Sequence, residues 1–153
     1  MTDLQPAESD KMVKPINELS SRERKELIVN PLLENGLDIE DINIRVESLE
    51  EVIEQENLGE LKKWLKEVID DETLTLYDLI TPDGMTLLHI CTQKNATRSF
   101  NLILTEIKNQ YSSQEGYHQT LKRWVRQSTF KDCFSPLHYA SYRGNIQMIE
   151  ILI

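Results

Sequence analysis

The sequence predicts an all-α fold, a helical solenoid of two to three helix-turn-helix units widened by insertions, and three features carry that expectation. Between positions 58 and 69, Leu58, Leu61, Trp64, Leu65, Val68 and Ile69 recur at intervals of three and four with lysines and glutamates opposite, which is one face of an amphipathic helix. Thr86 and Ser135 each stand before a short apolar run, where a hydroxyl can accept from the unpartnered amides of a helix start. The chain also repeats itself: Phe100, Ile103 and Leu104 fall in phase with Ile149, Leu152 and Ile153 when His89 is laid on His138.

Around the second histidine the local chemistry is legible. Pro136 at the first helical position gives up an amide that had no partner, and Leu137 and Ala140 share a face on which Ala140 permits close helix approach. Gly144-Asn145 supplies a turn, and Ile149, Leu152 and Ile153 lie on the buried side of a second helix. Ser135-Pro136-Leu137-His138-Tyr139-Ala140 resembles the Thr-Pro-Leu-His-x-Ala signature of ankyrin repeats. Asp83-Gly84-Met85-Thr86-Leu87-Leu88-His89-Ile90-Cys91 resembles the same opening, with leucine for proline, cysteine for alanine, and its aspartate one residue before the glycine rather than at the family's position.

The resemblance implies a binding scaffold whose partner is a protein. It implies repeat-forming roles for Gly84, Thr86, Ser135, Pro136 and Gly144, and structural roles for His89 and His138, which would tie one unit's turn to its neighbour. Side chains beside the turns and on the first helices would face the concave surface. Met85, Tyr139, Tyr142 and Arg143 are therefore the candidate contact residues, with packing between units as the alternative.

Taken in order, residues 1–19 hold scattered charge, Pro6 and Pro15 and no apolar period, and read as a flexible N-terminal segment. Residues 20–47 form an acidic, partly helical lead-in. There Ser20-x-x-Glu23 is a capping box for a helix expected to stop near Asn30-Pro31, and Asn35-Gly36 is a left-handed stop signal. Leu37, Ile39, Ile42 and Ile44 fit strand or helix. Residues 48–80 read as a degenerate capping repeat plus linker, opening on a second capping box at Ser48-x-x-Glu51, with an unrelated helical hairpin as the alternative. Aligned on the final unit without a gap, Val52-Ile53 fall at Ala140-Ser141 and Asn57 at Asn145, although Glu56 replaces the turn glycine.

Val52, Cys91 and Ala140 are thus equivalent points, 39 and 49 residues apart, against a family period of about 33. Both intervals carry insertions: a short helix at Leu74–Ile80 before a Thr81-Pro82 turn, and a longer one that breaks at Ser112-Ser113 and resumes as a helix at about His118–Gln127. The remaining divisions are 81–130, a repeat with a long insertion, and 131–153, a repeat cut off at its end. Because Ile149, Leu152 and Ile153 need a covering helix pair, further repeats are expected after Ile153.

Composition narrows the function. The net charge of −9 is uneven, residues 1–80 holding 21 acids against 9 bases and residues 81–153 holding 5 against 8. An acidic front half argues against nucleic acid or anionic lipid there. Lys122-Arg123-Trp124-Val125-Arg126 mixes base and aromatic, but three cations on a short helix fit a solvated face around a buried tryptophan better than a nucleic-acid reader. Cys91 and Cys133 give neither a disulfide framework nor zinc-ligand spacing. Cys91 is expected in the core, and Cys133, at a turn-glycine position, is either a modifiable thiol or a tolerated surface residue.

No run of residues approaches a membrane span and no secretory signal is expected, so the setting expected is the cytoplasmic side of the cell, with a membrane tether through parts beyond these residues as the alternative. No nucleophile with a neighbouring base, phosphate loop or paired-carboxylate site stands out, and no cofactor or metal is expected. Longer proteins that begin with such repeats include ankyrin-bearing Asp-His-His-Cys palmitoyltransferases and transient receptor potential channels. Neither a catalytic motif nor a span of that kind occurs in these residues, so a recruiting domain of such an enzyme is the alternative to a stand-alone scaffold.

Overall fold

The computed structural model describes residues 15, 18–71 and 73–153. The flexible segment expected over 1–19 falls almost wholly outside the described residues. The described chain is all-helical: α1 (Ser21–Glu34), α2 (Ile39–Glu54), α3 (Leu58–Ile69), a 3-10 turn at Leu76–Asp78, α4 (Leu87–Gln93), α5 (Thr97–Tyr111), α6 (Tyr117–Val125), α7 (Pro136–Arg143) and α8 (Ile146–Leu152).

Ser20 and Glu23 cap α1 reciprocally, the Ser20 Oγ accepting from the Glu23 amide at 3.1 Å and the Glu23 carboxylate accepting from the Ser20 amide at 3.0 Å. The helix does not stop at Asn30-Pro31 but runs through Pro31 to Glu34. Proline deprives the Leu27 carbonyl of its partner, and Leu27 is exposed, so water can replace that partner. Continuing the helix also seats Leu32 in the core, and the terminal carbonyls are met by the amides of Asn35 and Leu37. Gly36, at φ +80°, ends α1 as its sequence position suggested.

The Ser48 capping box is likewise overturned. Asp38 is the true cap, its carboxylate accepting from the amides of Glu40 and Asp41 at 3.0 and 3.3 Å. Ser48 lies inside α2 and donates back to the Ile44 carbonyl at 3.1 Å. Ile42, Val46, Leu49 and Ile53 form one uninterrupted buried stripe, which makes a single helix the favoured packing and settles the ambiguity over Leu37–Ile44. Between α3 and α4, the helix expected at Leu74–Ile80 contracts to one 3-10 turn, because Leu74, Leu76, Leu79 and Ile80 are all buried, a pattern one helical face cannot present.

The helices pack in two rows, α2, α4 and α7 forming one and α3, α5 and α8 the other, with α2–α3, α4–α5 and α7–α8 as antiparallel pairs. Each pair closes through the same turn. Glu56, Asn95 and Gly144 take φ of +53°, +56° and +66°, and the next residue's amide reaches back to the carbonyl of Val52, Cys91 or Ala140 at 3.2, 2.8 and 3.0 Å. Those acceptors are the three positions that the sequence aligns. Gly144 adopts this conformation without strain and asparagine tolerates it, whereas a glutamate there costs about 1 kcal/mol. The Glu56 carboxylate offsets that cost by accepting from the Arg98 amide on the next unit at 2.7 Å.

Polar ties run between neighbouring units. The buried Ser99 hydroxyl donates to the Ile53 carbonyl at 2.9 Å, and Asn145 donates to Asn95 and Thr97 at 2.8 and 2.9 Å. The insertion after α5 returns α6 against the fold: Trp124 is buried edge-on to Tyr77, whose ring also meets Tyr111, and the Tyr111 hydroxyl accepts from the Leu76 amide at 3.0 Å. α1 reaches across the stack. Its buried Arg24 donates to the carbonyls of Phe130 at 2.7 Å and Lys131 at 3.2 Å, and to that of Leu19.

The turns preceding α4 and α7 also meet, the Phe130 amide donating to the Asp83 carbonyl at 2.9 Å. Gly84 holds φ +85°, and a Cβ there would lie 2.7 Å from the Phe130 ring. Gly84→Ala is expected to lose about 2–4 kcal/mol by urea denaturation, the sum of a left-handed penalty and an overpacked aromatic contact. Combining it with Phe130→Leu should recover part of the steric share beyond what the two single changes predict.

Candidate binding groove

Three clefts run along the α2–α4–α7 row and its turns. The first, about 470 Å³, lies between α2 and the turn at 81–85, with Ile44, Glu47 and Met85 among its walls. The second, about 330 Å³, joins Met85 and Asp83 to Lys131, Asp132, Gln93 and Tyr139. The third, about 460 Å³, is formed by Gln93, Phe134, His138, Tyr139, Tyr142 and Arg143. Met85 and Asp83 are shared by the first two and Gln93 and Tyr139 by the last two, so the clefts form one continuous groove. No residue of α3, α5 or α8 lines it.

All four candidate contact residues stand in this groove, and the structure distinguishes them. Tyr142 is 86% exposed. Tyr139 is half-buried, edge-on to Phe134 at 5.8 Å and to His89 at 6.1 Å, and burial pushes its phenol upward. Met85 links two clefts. Arg143 is committed to the neighbouring unit, its guanidinium donating to the Gln93 carbonyl with Nε at 2.9 Å. Phe134, which the sequence reading did not single out, is 40% exposed and stacks on His138 with ring centres 5.3 Å apart. Its signal was an apolar side chain immediately before a capped helix.

The caps and turns around Thr86, His89, Ser135 and His138 stand behind these walls. Thr86 opens α4, and its amide donates to His89 Nδ1 at 3.0 Å, which leaves the imidazole proton on Nε2 to donate to the Phe134 carbonyl at 2.8 Å. His89 therefore joins the cap of α4 to the turn before α7. Ser135 and His138 repeat the intra-cap half of the arrangement, the Ser135 amide donating to His138 Nδ1 at 2.9 Å, with Pro136 at the start of α7 and Gly144 as its left-handed C-cap. The two histidines stand in successive units. No group of three or more His, Cys, Asp or Glu side chains is gathered as a metal site would need among the described residues.

Of the cysteines, Cys91 is fully buried and burial drives its thiol pKa far upward, so it is a core residue. Cys133 is half-buried in the turn before α7 at φ +57°. Within Lys122–Arg126, Trp124 is only 2% exposed, so its ring face is not offered for stacking.

Against this geometry the comparisons are specific to one region: residues 111–153 match the family model described as ankyrin repeats (many copies). This C-terminal part of the chain is similar to ankyrin repeats. The match takes in α6, α7 and α8, and the ankyrin-like openings before α4 and α7 share the same cap chemistry. Ankyrin repeats are generally protein-interaction modules. Comparison with curated proteins and with solved structures returned no match. Among the described residues no helix is long and apolar enough to cross a membrane.

Burial lowers the His89 pKa from 6.5 to about 4, against the raising effect of its bond to the Phe134 carbonyl. Protonating Nδ1 would also point a proton at the Thr86 amide. Since the unfolded histidine titrates near 6.5, the unfolded state binds the extra proton between about pH 6.5 and 4, and stability falls as pH drops through that window by on the order of 3 kcal/mol. Melting curves from pH 7.5 downward should show this loss, and His89→Gln, less stable at neutral pH, should show a shallower decline.

Proposed function

We propose that this chain is a protein-interaction scaffold that receives its partner in the groove of the α2–α4–α7 row. The observation that carries the reading is the continuity of the groove from α2 to α7, with an aromatic cluster at one end that includes the almost fully exposed Tyr142. A large aromatic ring left in water beside Phe134 and Tyr139 is the kind of anchor that supplies much of the energy in protein recognition. In this reading α2–α3 acts as a degenerate first repeat, and its acidic exposed side suits a terminal unit. The contact residues are Met85, Tyr139 and Tyr142, while Arg143 serves to lock one unit on the next.

A photoreactive phenylalanine analogue placed at Tyr142, and separately at Lys63 on the opposite row, tests the assignment. In cell extract, discrete crosslinked protein products are expected from position 142 and not from 63. Their yield should fall several-fold when Tyr139 is changed to Ala, as loss of a central aromatic contact worth about 1–2 kcal/mol requires. Equal products from both positions, or yields indifferent to Tyr139, would count against the groove.

A further inference from the structure

The groove changes chemistry from one end to the other, and we propose that its partner is an extended segment with Lys or Arg residues at one end, lying over α2, and an apolar or aromatic end lying over α7. The inference rests on the reading of the groove as the protein-binding surface and adds the chemistry of what it binds.

At the α2 end the cleft wall carries Glu40, Glu47, Glu50 and Asp83 and no lysine or arginine. Positions 40, 44, 47 and 50 repeat at helical spacing, so the three glutamates and Ile44 share one side of α2. None of the four carboxylates forms an ion pair among the described residues. Of the nearby cations, Arg45 is engaged with Asp41 at 3.0 Å and Asp71 at 3.6 Å and Lys94 with Glu54 at 3.3 Å, while Lys131 lines the next cleft along with Asp83 and Asp132. The three glutamates of α2, with no cation in their own cleft wall, repel one another and draw a cation toward it.

The cleft is not acidic alone. Ile44 is 60% exposed between the glutamates, facing a wall that holds Met85 and Pro82, so an aliphatic stem can lie on apolar surface while its charged head meets a carboxylate, as lysine and arginine side chains do. The α7 end offers the opposite chemistry, with Phe134, Tyr139 and Tyr142 and one guanidinium already bound to the Gln93 carbonyl.

Three inner helices at spacings of about 8–10 Å span roughly 20 Å, which an extended segment covers in about six residues. Exposed ion pairs contribute little affinity individually, so the acidic end sets orientation, selectivity and association rate while the aromatic end supplies the anchor.

Random octapeptides displayed on phage and selected on the whole protein test this, with enriched sequences synthesised and titrated by fluorescence anisotropy. The comparison set is wild type, the E40Q/E47Q/E50Q variant and Tyr142→Ala, each checked for fold by circular dichroism. The expected winners carry two or more Lys or Arg at one end and an aromatic or leucine at the other. The triple variant should weaken them about tenfold at roughly 50 mM salt, with the difference shrinking near 0.5 M salt. Tyr142→Ala should weaken them at both salt concentrations. Enriched peptides without basic bias, sensitive to Tyr142→Ala but not to the triple change, would overturn the basic partner and leave the groove reading standing. Peptides indifferent to both changes, or no enrichment at all, would overturn both.

Discussion

The buried imidazole of His89 is the constraint on which the α7 end of the groove depends. One ring nitrogen accepts from the Thr86 amide at the start of α4, and the other donates to the Phe134 carbonyl just before α7. One side chain therefore fixes where a helix begins and where the next unit's turn lies. Phe134 follows directly in the groove wall, with Tyr139 packed edge-on against both rings. The geometry requires the neutral tautomer, and burial, which depresses the pKa to about 4, supplies it. The position of the turn before α7 thus rests on a group that is charged half the time in an unfolded chain near pH 6.5.

The second constraint is the left-handed residue between paired helices. It is met by glycine once, by asparagine once and by glutamate once, and the glutamate turns a strained conformation into a tie by capping the Arg98 amide. Together with Ser99–Ile53 and Asn145–Asn95, this means that each unit's turn is fastened to the unit beside it by hydrogen bonds rather than by apolar contact alone. Directional bonds fix register more tightly than burial does, which is why clefts on three successive units line up into one groove.

Outside the repeats, α1 and the insertion behave as a brace. Arg24 is met by three backbone carbonyls, two of them in the turn at 130–131, and Trp124 closes an aromatic cluster with Tyr77 and Tyr111. The basic insertion therefore spends its aromatic residue on packing. The clefts lie along the α2–α4–α7 row instead, with acidic walls over α2 and aromatic walls over α7.

What the sequence by itself determined is what neighbours in the chain can settle: the caps at Ser20, Thr86 and Ser135, the stripe of α3, the stop at Gly36 and the break after Tyr111. Each depends on hydrogen bonds or spacing within a few residues, so the local signal is complete. Where two local signals competed, tertiary packing chose. Pro31 stayed helical because Leu32 had a core to enter, and Ser48 became an interior residue because the buried stripe of α2 runs past it. The Arg24 bonds to residues 106 and 107 positions away, the Gly84–Phe130 contact and the continuity of the groove have no local signature. They arise only once turns distant in sequence are stacked side by side, and only the folded chain sets that proximity.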